Sequence, residues 1–230
     1  MTDTPPTGWL DAFCAELRGH RRGAPSTSTV LTAPWCGPAL GLSWYRRLLG
    51  GGIRPPQVAV LRGGEMVPAL DFCRPGKSAA NYAVPVADPL ALIRQLEDGC
   101  TVLLPRIDQW NAEVAALSGA LGRLLGCKVE ASLSATAFGA ERLAARHEDG
   151  DLLLVQLNGA KSWRIHPGPG ADVLDTELTA GRLLYLPRGS AHAATGSEGL
   201  SVHLTFALRD HDARRPQPAT RQLLLSAVPA

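Results

Sequence analysis

The sequence predicts a mainly β fold with flanking helices (α+β), in which the strands form a small jelly roll, and two observations carry that prediction. From about Cys127 to Leu208 five strand-like runs follow one another, separated by turn residues: KVEASLSATAF, DLLLVQL, AKSWRIHP, GRLLYLPRG and GLSVHLTFAL. Short strands at this spacing, within about 80 residues, are typical of a jelly roll. Before Cys127 most apolar residues instead recur at helical spacing, so we expect helices to pack around the barrel.

Four helices are predicted in the first half of the chain. Residues 8–19 and 42–49 each carry a stripe of apolar side chains with a period close to 3.6 residues. The segment ADPLALIRQLEDG opens with Asp88 as an N-cap and a proline at the first helical position. WNAEVAALSGALGRLLG begins at the N-cap Asn111 and stops at Gly126.

The remaining segments of the first half predict a hairpin and two irregular stretches. QVAVLRGGEMVPAL predicts two strands around a Gly-Gly turn at residues 63–64. Residues 23–38, and the stretch after the hairpin up to about Ala87, are rich in turn-forming residues and are predicted to be irregular. We expect one structural domain overall, with a helical region over 1–100, the jelly roll over 101–210 and a tail over 211–230.

Composition excludes several classes of protein. Among 230 residues, 23 Lys and Arg balance 21 Asp and Glu, and the charges are spread along the chain, so neither a nucleic-acid scaffold nor a membrane anchor is expected. The polar, acidic start and the lack of a long apolar run predict a cytoplasmic protein. Five separated cysteines without a CxxC pair predict free thiols. The sequence leaves the oligomeric state open.

Histidines in the predicted β half suggest a metal site. His147 and Asp149 form a His-x-Asp motif, which places an imidazole and a carboxylate on one face of an extended chain. His192, in LPRGSAH, follows a Pro-Gly turn that can direct it back into the barrel. Two histidines and one carboxylate are the facial triad of non-haem Fe(II) oxygenases, which leaves positions open for a cosubstrate and O₂.

Three further motifs follow His-x-Asp in a fixed order: VQLNGAKSW at 155–163, LPRGSAH at 186–192 and SVHLT at 201–205. Together they resemble the cupin-like JmjC family of ribosomal oxygenases. The resemblance is firm from about residue 100 to 210 and looser before it. We expect a short form without the family's C-terminal dimerisation and winged-helix regions.

The resemblance implies a double-stranded β-helix that binds Fe(II) through His147, Asp149 and His192. It also implies 2-oxoglutarate as the cosubstrate, with Lys161 on its distal carboxylate. His203 corresponds to a family histidine near the metal and cosubstrate, and it shares a strand face with Ser201 and Thr205. Any of these three side chains could donate a hydrogen bond to the cosubstrate, and His203 and Ser201 are the predicted cosubstrate-binding residues beside Lys161. Two alternatives stay open: Lys161 as a solvated hairpin lysine, and His203 as a core residue that binds a backbone carbonyl.

The implied function is an Fe(II)- and 2-oxoglutarate-dependent oxygenase that hydroxylates a protein or peptide side chain, or a small natural product. One residue fewer separates His-x-Asp from the following glutamine than in the family. A gapless alignment therefore puts Arg146 and Glu148 at the ligand positions, and arginine cannot bind iron. That alternative predicts a cupin-like module without 2-oxoglutarate turnover. A third possibility is a metal cupin with other chemistry, which would not need Lys161.

Overall fold

The computed structural model of the chain describes residues 9–22, 29–32, 40, 42–78, 81–137, 146–147, 150–166, 172–196 and 199–209. Within these ranges the helices are α1 (Trp9–Arg22), α2 (Leu42–Gly50), α3 (Pro89–Glu97) and α4 (Ala112–Leu125). The strands are β1 (Thr29–Thr32), β2 (Ala59–Arg62), β3 (Glu65–Met66), β4 (Cys73–Lys77), β5 (Ala83–Ala87), β6 (Thr101–Leu104), β7 (Lys128–Thr136), β8 (Arg146–His147), β9 (Asp151–Asn158), β10 (Ala160–His166), β11 (Leu174–Thr179), β12 (Arg182–Leu186), β13 (Ala191–Gly196) and β14 (Ser201–Arg209).

Two antiparallel sheets form the body of the molecule. The larger has eight strands in the order β1-β12-β9-β14-β7-β6-β2-β3, and the smaller has four, β11-β10-β13-β8. Side chains of both sheets share one apolar cluster, so the sheets face each other across it; its members are Leu152, Leu154, Trp163, Ile165, Leu178, Leu184, Leu186 and Ala194. The predicted mainly β jelly roll with flanking helices is confirmed.

The helices cover the outer face of the larger sheet. Alternate residues of its strands, such as Leu153, Leu133 and Phe206, point away from the sheet-to-sheet cluster and belong to a second core. This core also contains the buried sides of α1 to α4, for example Leu17 and Leu121. The outer face of the larger sheet is therefore covered by the helices. Its inner face, which meets the smaller sheet, is the face on which a site inside the barrel can form.

The sequence signals for helix ends are confirmed. Asp88 caps α3 by accepting a hydrogen bond from the backbone N–H of Leu90. Asn111 caps α4 by accepting one from Val114 at 3.0 Å. Gly126 ends α4 with a φ of 66°, a conformation that favours glycine.

Two stretches predicted to be irregular contain strands. β1 lies within 23–38 and pairs with β12, while β4 and β5 form a separate two-stranded hairpin in which Pro75 lies opposite Pro85. Proline is tolerated there because each strand of the hairpin has a neighbour on one side only. β8, β11 and β13 are further strands that the five predicted runs did not include.

Two properties predicted from composition can be examined in the described residues. Cys14, Cys73, Cys100 and Cys127 form no disulfide bond, and Cys36 lies outside those residues. No helix among them is long and apolar enough to span a bilayer.

Candidate functional site

Polar side chains gather at one end of the inner face of the larger sheet. On β14, Ser201 lies opposite Thr136 of β7, and His203 lies opposite Gln156 of β9. Residues opposite each other in an antiparallel pair share a face, so these four side chains are neighbours on the side that meets the smaller sheet. Thr136, Gln156, Ser201 and His203 are all buried.

Lys161 enters this polar group from the smaller sheet. It lies on β10, opposite Gly196, and its side chain is only 1% exposed, so it is not the solvated hairpin lysine. Its Nζ donates a hydrogen bond to Thr136 Oγ1 at 3.2 Å, and no carboxylate of the described residues pairs with it. Burial lowers the pKa of Lys161 from 10.5 to about 8, because desolvation disfavours the ammonium.

The turn before Lys161 explains why this lysine points inward. Gly159 joins β9 to β10 with a φ of 63°, and a Cβ at this position would lie 2.5 Å from the carbonyl oxygen of Leu200. Asn158 Nδ2 donates to the same carbonyl at 2.7 Å. The Asn-Gly turn is thus pressed against the start of β14, and only glycine fits there. This contact sets the phase of β10 and places Lys161 on the inner face.

Gln156 connects two strands of the larger sheet. Its Nε2 donates to Ser201 Oγ and to the carbonyl oxygen of Asn158, both at 2.8 Å. Its Oε1 is buried and accepts no hydrogen bond from the described residues. Since Ser201 Oγ accepts from Gln156, its own hydrogen remains available to another acceptor in the barrel.

His203 is 5% exposed, and the edge of its ring faces Trp163, with 5.4 Å between centroids. Burial holds the pKa of His203 well below its usual value, and the charges of Lys161 and His192 lower it further. The imidazole is therefore neutral near pH 7, with one N–H and one acceptor nitrogen. Its Nδ1 has no partner among the described residues, so it can donate to a ligand in the appropriate tautomer.

His192 reaches the inner face as the sequence predicts. The backbone N–H of Ser190 donates to Pro187 O at 3.2 Å, and Gly189 has a φ of 81°, so the chain turns just before β13. His192 lies opposite Ile165 of β10, and its ring is 5.9 Å from Trp163. Trp163 thus contacts His192 on one side and His203 on the other.

The backbone also brings the His-x-Asp segment next to His192. β8 pairs with β13, with His147 opposite Ala191 and Arg146 opposite His192. Asp149 and the side chain of His147 lie outside the described residues, so the ligand set His147, Asp149 and His192 stays a prediction. Within the described part of the chain, no three His, Cys, Asp or Glu side chains come together as a metal site.

Sequence reasoning missed two contributors to the inner face. Thr136, the hydrogen-bond partner of Lys161, looks like an ordinary β-forming residue in KVEASLSATAF. Glu130 lies on the same face of β7, with a side chain 8% exposed, and it forms ion pairs with three cations: Arg106, Lys128 and Arg209. The alternation of β7 predicts that both residues face inward, but a single sequence gives no sign of their partners.

No family model matches the chain. It is 31% identical over 141 residues to the "Bifunctional lysine-specific demethylase and histidyl-hydroxylase NO66" of Dictyostelium discoideum, an alignment that covers 53% of this chain and 27% of the relative. The protein of the same name from Drosophila simulans is 25% identical over 136 residues, which cover 50% of this chain and 16% of the relative. The chain thus matches between about a sixth and about a quarter of these relatives' length.

Solved structures of the ribosomal oxygenase YcfD from Escherichia coli share the fold. The complex with cobalt and 2-oxoglutarate aligns with a TM-score of 0.55 at 17% identity, over 91% of this chain and 54% of that chain. The complex with cobalt and succinic acid gives a TM-score of 0.54 at 17% identity, over 89% of this chain and 52% of that chain. In sequence and in fold, therefore, the predicted resemblance of this chain to the JmjC ribosomal oxygenases is confirmed.

Proposed function

We propose that the chain is an Fe(II)- and 2-oxoglutarate-dependent oxygenase that hydroxylates a protein or peptide side chain. One observation carries the proposal: the ammonium of Lys161 is buried inside the barrel, with a threonine hydroxyl as its hydrogen-bond partner and no carboxylate among the described residues. A buried cation is costly unless an anion compensates it. A carboxylate that enters the barrel would supply that anion.

The polar group around Lys161 fits a dicarboxylate. Lys161 would bind the distal carboxylate, since its remaining N–H groups have no protein acceptor among the described residues. Ser201 Oγ and His203 Nδ1 can donate to the same ligand. The barrel wall, which includes Trp163 and Ile165, excludes water and strengthens each of these bonds.

Fe(II) would be held by His147, Asp149 and His192, the three residues that the motifs nominate. When bound, the iron and 2-oxoglutarate supply O₂ activation, and oxidative decarboxylation of 2-oxoglutarate provides electrons for hydroxylation. His192 contributes a half-buried imidazole beside Trp163. The names of the relatives support the rest: the NO66 proteins are called histidyl-hydroxylases, and one YcfD structure contains cobalt and 2-oxoglutarate.

An anaerobic titration tests this function. Apo-protein is given Fe(II) and then 2-oxoglutarate, while the visible charge-transfer band is recorded for the wild type, Lys161→Ala and the control Lys77→Ala. Lys77 is an exposed lysine of β4 and lies outside the barrel. We expect the band in the wild type and in Lys77→Ala, and a requirement for far more 2-oxoglutarate in Lys161→Ala. A band that is absent with iron bound, or unaffected by Lys161→Ala, would contradict the proposal.

A second candidate function is a cupin-like module without 2-oxoglutarate turnover. The backbone register favours it, because Arg146 and not His147 lies opposite His192. Iron binding decides between the two alignments. If His147 and Asp149 are ligands, His147→Ala and Asp149→Ala each abolish tight Fe(II) binding, whereas Arg146→Ala and Glu148→Ala retain it. If Fe(II) does not bind the wild type, or if His147→Ala and Asp149→Ala bind it normally, the module is the better description.

A further inference from the structure

A cavity of about 670 Å³ lies outside the barrel, among the helices and the β4–β5 hairpin. Its walls come from the last turns of α2, from the loop that follows α2, from the end of β4 and from the start of α4. None of its lining residues belongs to the polar group around Lys161. Its volume is within the range of pockets that bind ligands or the side chains of a partner, about 300–1,000 Å³.

The rim of this cavity is cationic. Arg47 on α2, Arg54 in the following loop and Lys77 on β4 all line it, and all three are exposed. Against them stands one acidic lining residue, Glu113 at the start of α4. None of the three cations forms an ion pair with another side chain of the described ranges. Three exposed cations against one carboxylate give the rim a net positive charge, which favours an anionic ligand.

The floor of the cavity is apolar. Trp44 is 3% exposed and Ile53 is 5% exposed, and half-buried Leu48 lies beside them. Polar donors and acceptors line part of the wall, among them Gln57 and Ser78. Because Trp44 and Ile53 are almost fully buried, Leu48 supplies most of the apolar contact, and the accessible lining is mainly polar. Such a cavity with a cationic rim complements a ligand that carries several carboxylates.

We propose that this cavity is a docking site for an acidic segment of a partner protein. Aspartate and glutamate carboxylates would pair with Arg47, Arg54 and Lys77 at the rim of the cavity. Arginine binds carboxylates through two parallel hydrogen bonds, so two of the three cations suit this recognition especially well. Neither the binding nor its test requires the oxygenase activity proposed above.

The same features argue against a nucleic-acid strand as the occupant. Single strands bind to basic grooves with exposed aromatic rings on which the bases stack. Here Trp44 is almost fully buried, and the other lining tryptophan, Trp110, is half-buried and donates its indole N–H to Pro105 O at 3.4 Å. The chain as a whole carries a formal charge of only +2.

The test uses the full-length protein without iron and a fluorescein-labelled peptide that carries four carboxylates around a central leucine. Binding is followed by fluorescence anisotropy at low and at physiological salt. The triple variant Arg47→Gln/Arg54→Gln/Lys77→Gln should lower the affinity for the peptide at least about 20-fold, because it removes three charge-assisted contacts. The matched control Arg46→Gln/Arg74→Gln/Arg94→Gln removes three exposed cations from α2, β4 and α3 that do not line the cavity, and it should change binding less than about twofold.

Two further measurements keep the proposal falsifiable. Lys77→Glu changes one exposed side chain and should also lower the affinity for the peptide. The melting temperature of this variant should match that of the wild type. Replacement of the leucine by serine in the peptide should change binding much less than replacement of the carboxylates by glutamines, because charge carries the recognition. The proposal is overturned if the control triple variant loses binding equally, if a peptide with glutamines in place of the carboxylates binds as well, or if a single-stranded oligonucleotide binds more tightly and loses affinity in the cavity variant.

Discussion

Two charged side chains are buried on the inner faces of the sheets, Glu130 on β7 of the larger sheet and Lys161 on β10 of the smaller, and their surroundings differ. Glu130 has three cations around it, with Lys128 Nζ at 2.8 Å and Arg106 Nη1 at 3.3 Å as the nearest. Lys161 has no anion beside it among the described residues: its Nζ donates to the hydroxyl of Thr136 and lies over the ring of Trp163, 6.0 Å from the ring centre. Because Glu130 and Thr136 lie six residues apart on β7, about 20 Å separates the two charges.

This difference indicates that Glu130 has a structural role and that Lys161 is available to bind an anionic ligand. The carboxylate of Glu130 is fully compensated by protein groups, so it stabilises the folded chain by joining the start of β7 to the end of β14 through Arg209. Lys161 lowers the stability of the free protein, because no anion of the described residues pairs with its ammonium, and the Thr136 hydroxyl and the Trp163 ring offset only part of the cost of burial. Such a cost is retained where it serves binding. Four predictions follow from the contrast, in order of decreasing effect.

The first prediction concerns Lys161→Met, which replaces the buried ammonium by an apolar side chain of similar length. Lys161→Met should lower the affinity for 2-oxoglutarate by at least about 100-fold, since a buried charge-assisted contact is lost. The same substitution should leave the free energy of unfolding of the ligand-free protein unchanged or raise it by about 1–3 kcal/mol. The charge-transfer titration and urea unfolding measure the two effects. A destabilised Lys161→Met protein would show that the ammonium has a partner in the folded chain.

The second prediction concerns the removal of the Glu130 charge. Glu130→Gln should lower the free energy of unfolding by about 1–2 kcal/mol, because Lys128 and Arg209 lose their carboxylate, whereas Arg106 keeps Asp108 at 2.9 Å and the cations are partly hydrated. The affinity for 2-oxoglutarate should change less than about twofold at a separation of about 20 Å. Lys128→Gln is the control: that side chain is 55% exposed, and its loss should cost less than about 1 kcal/mol.

The third uses pH. The pKa of Lys161 is lowered by burial to about 8, and an anionic ligand binds the protonated form. The affinity for 2-oxoglutarate should therefore be constant below pH 8 and fall above it, by up to about tenfold per pH unit. In the ligand-free protein the folded state loses this proton before the unfolded chain does. Its stability, measured against Lys161→Met, should accordingly rise between pH 8 and 10.5. A parallel affinity profile in Lys161→Met would assign the dependence to another group.

The fourth and smallest effect concerns the hydroxyl that orients the lysine. Thr136→Val keeps the shape of the side chain but removes the acceptor of the Lys161 hydrogen bond, so the affinity for 2-oxoglutarate should fall about three- to tenfold. Thr101→Val tests a buried threonine directly opposite Thr136 on β6 and should have no such effect. Equal losses in the two variants would indicate a general disturbance of the sheet.

The features that could be predicted from the sequence are those with local signals. The caps Asp88 and Asn111 and the stop at Gly126 depend only on neighbouring backbone groups, so they mark the helix ends directly. The role of Lys161 is predicted from the resemblance of its whole motif to the family, whereas an Asn-Gly turn alone favours a solvated lysine. The close approach of Gly159 to Leu200 explains why this lysine nevertheless points inward.

The features that were missed depend on pairing between distant segments. β1 exists because β12 offers it an open edge, and nothing within residues 29–32 records that partner. The position of His147 opposite Ala191 is a matter of register, and a two-residue strand has no hydrophobic pattern that could fix it. For the same reason, neither the hydrogen bond of Thr136 nor the ion pairs of Glu130 could be foreseen.

The order of strands in the larger sheet also bears on how fragments of this protein would behave in solution. β1 covers one side of β12, and β2 and the two-residue β3 continue the sheet beyond β6. A fragment restricted to residues 101–210 would expose the unpaired backbone of the leucine-rich β12 and of β6. Unpaired edge strands of this kind form hydrogen bonds with strands of other molecules, so we expect such a fragment to aggregate. By pairing with β12, β1 prevents that edge from joining a second copy of the chain.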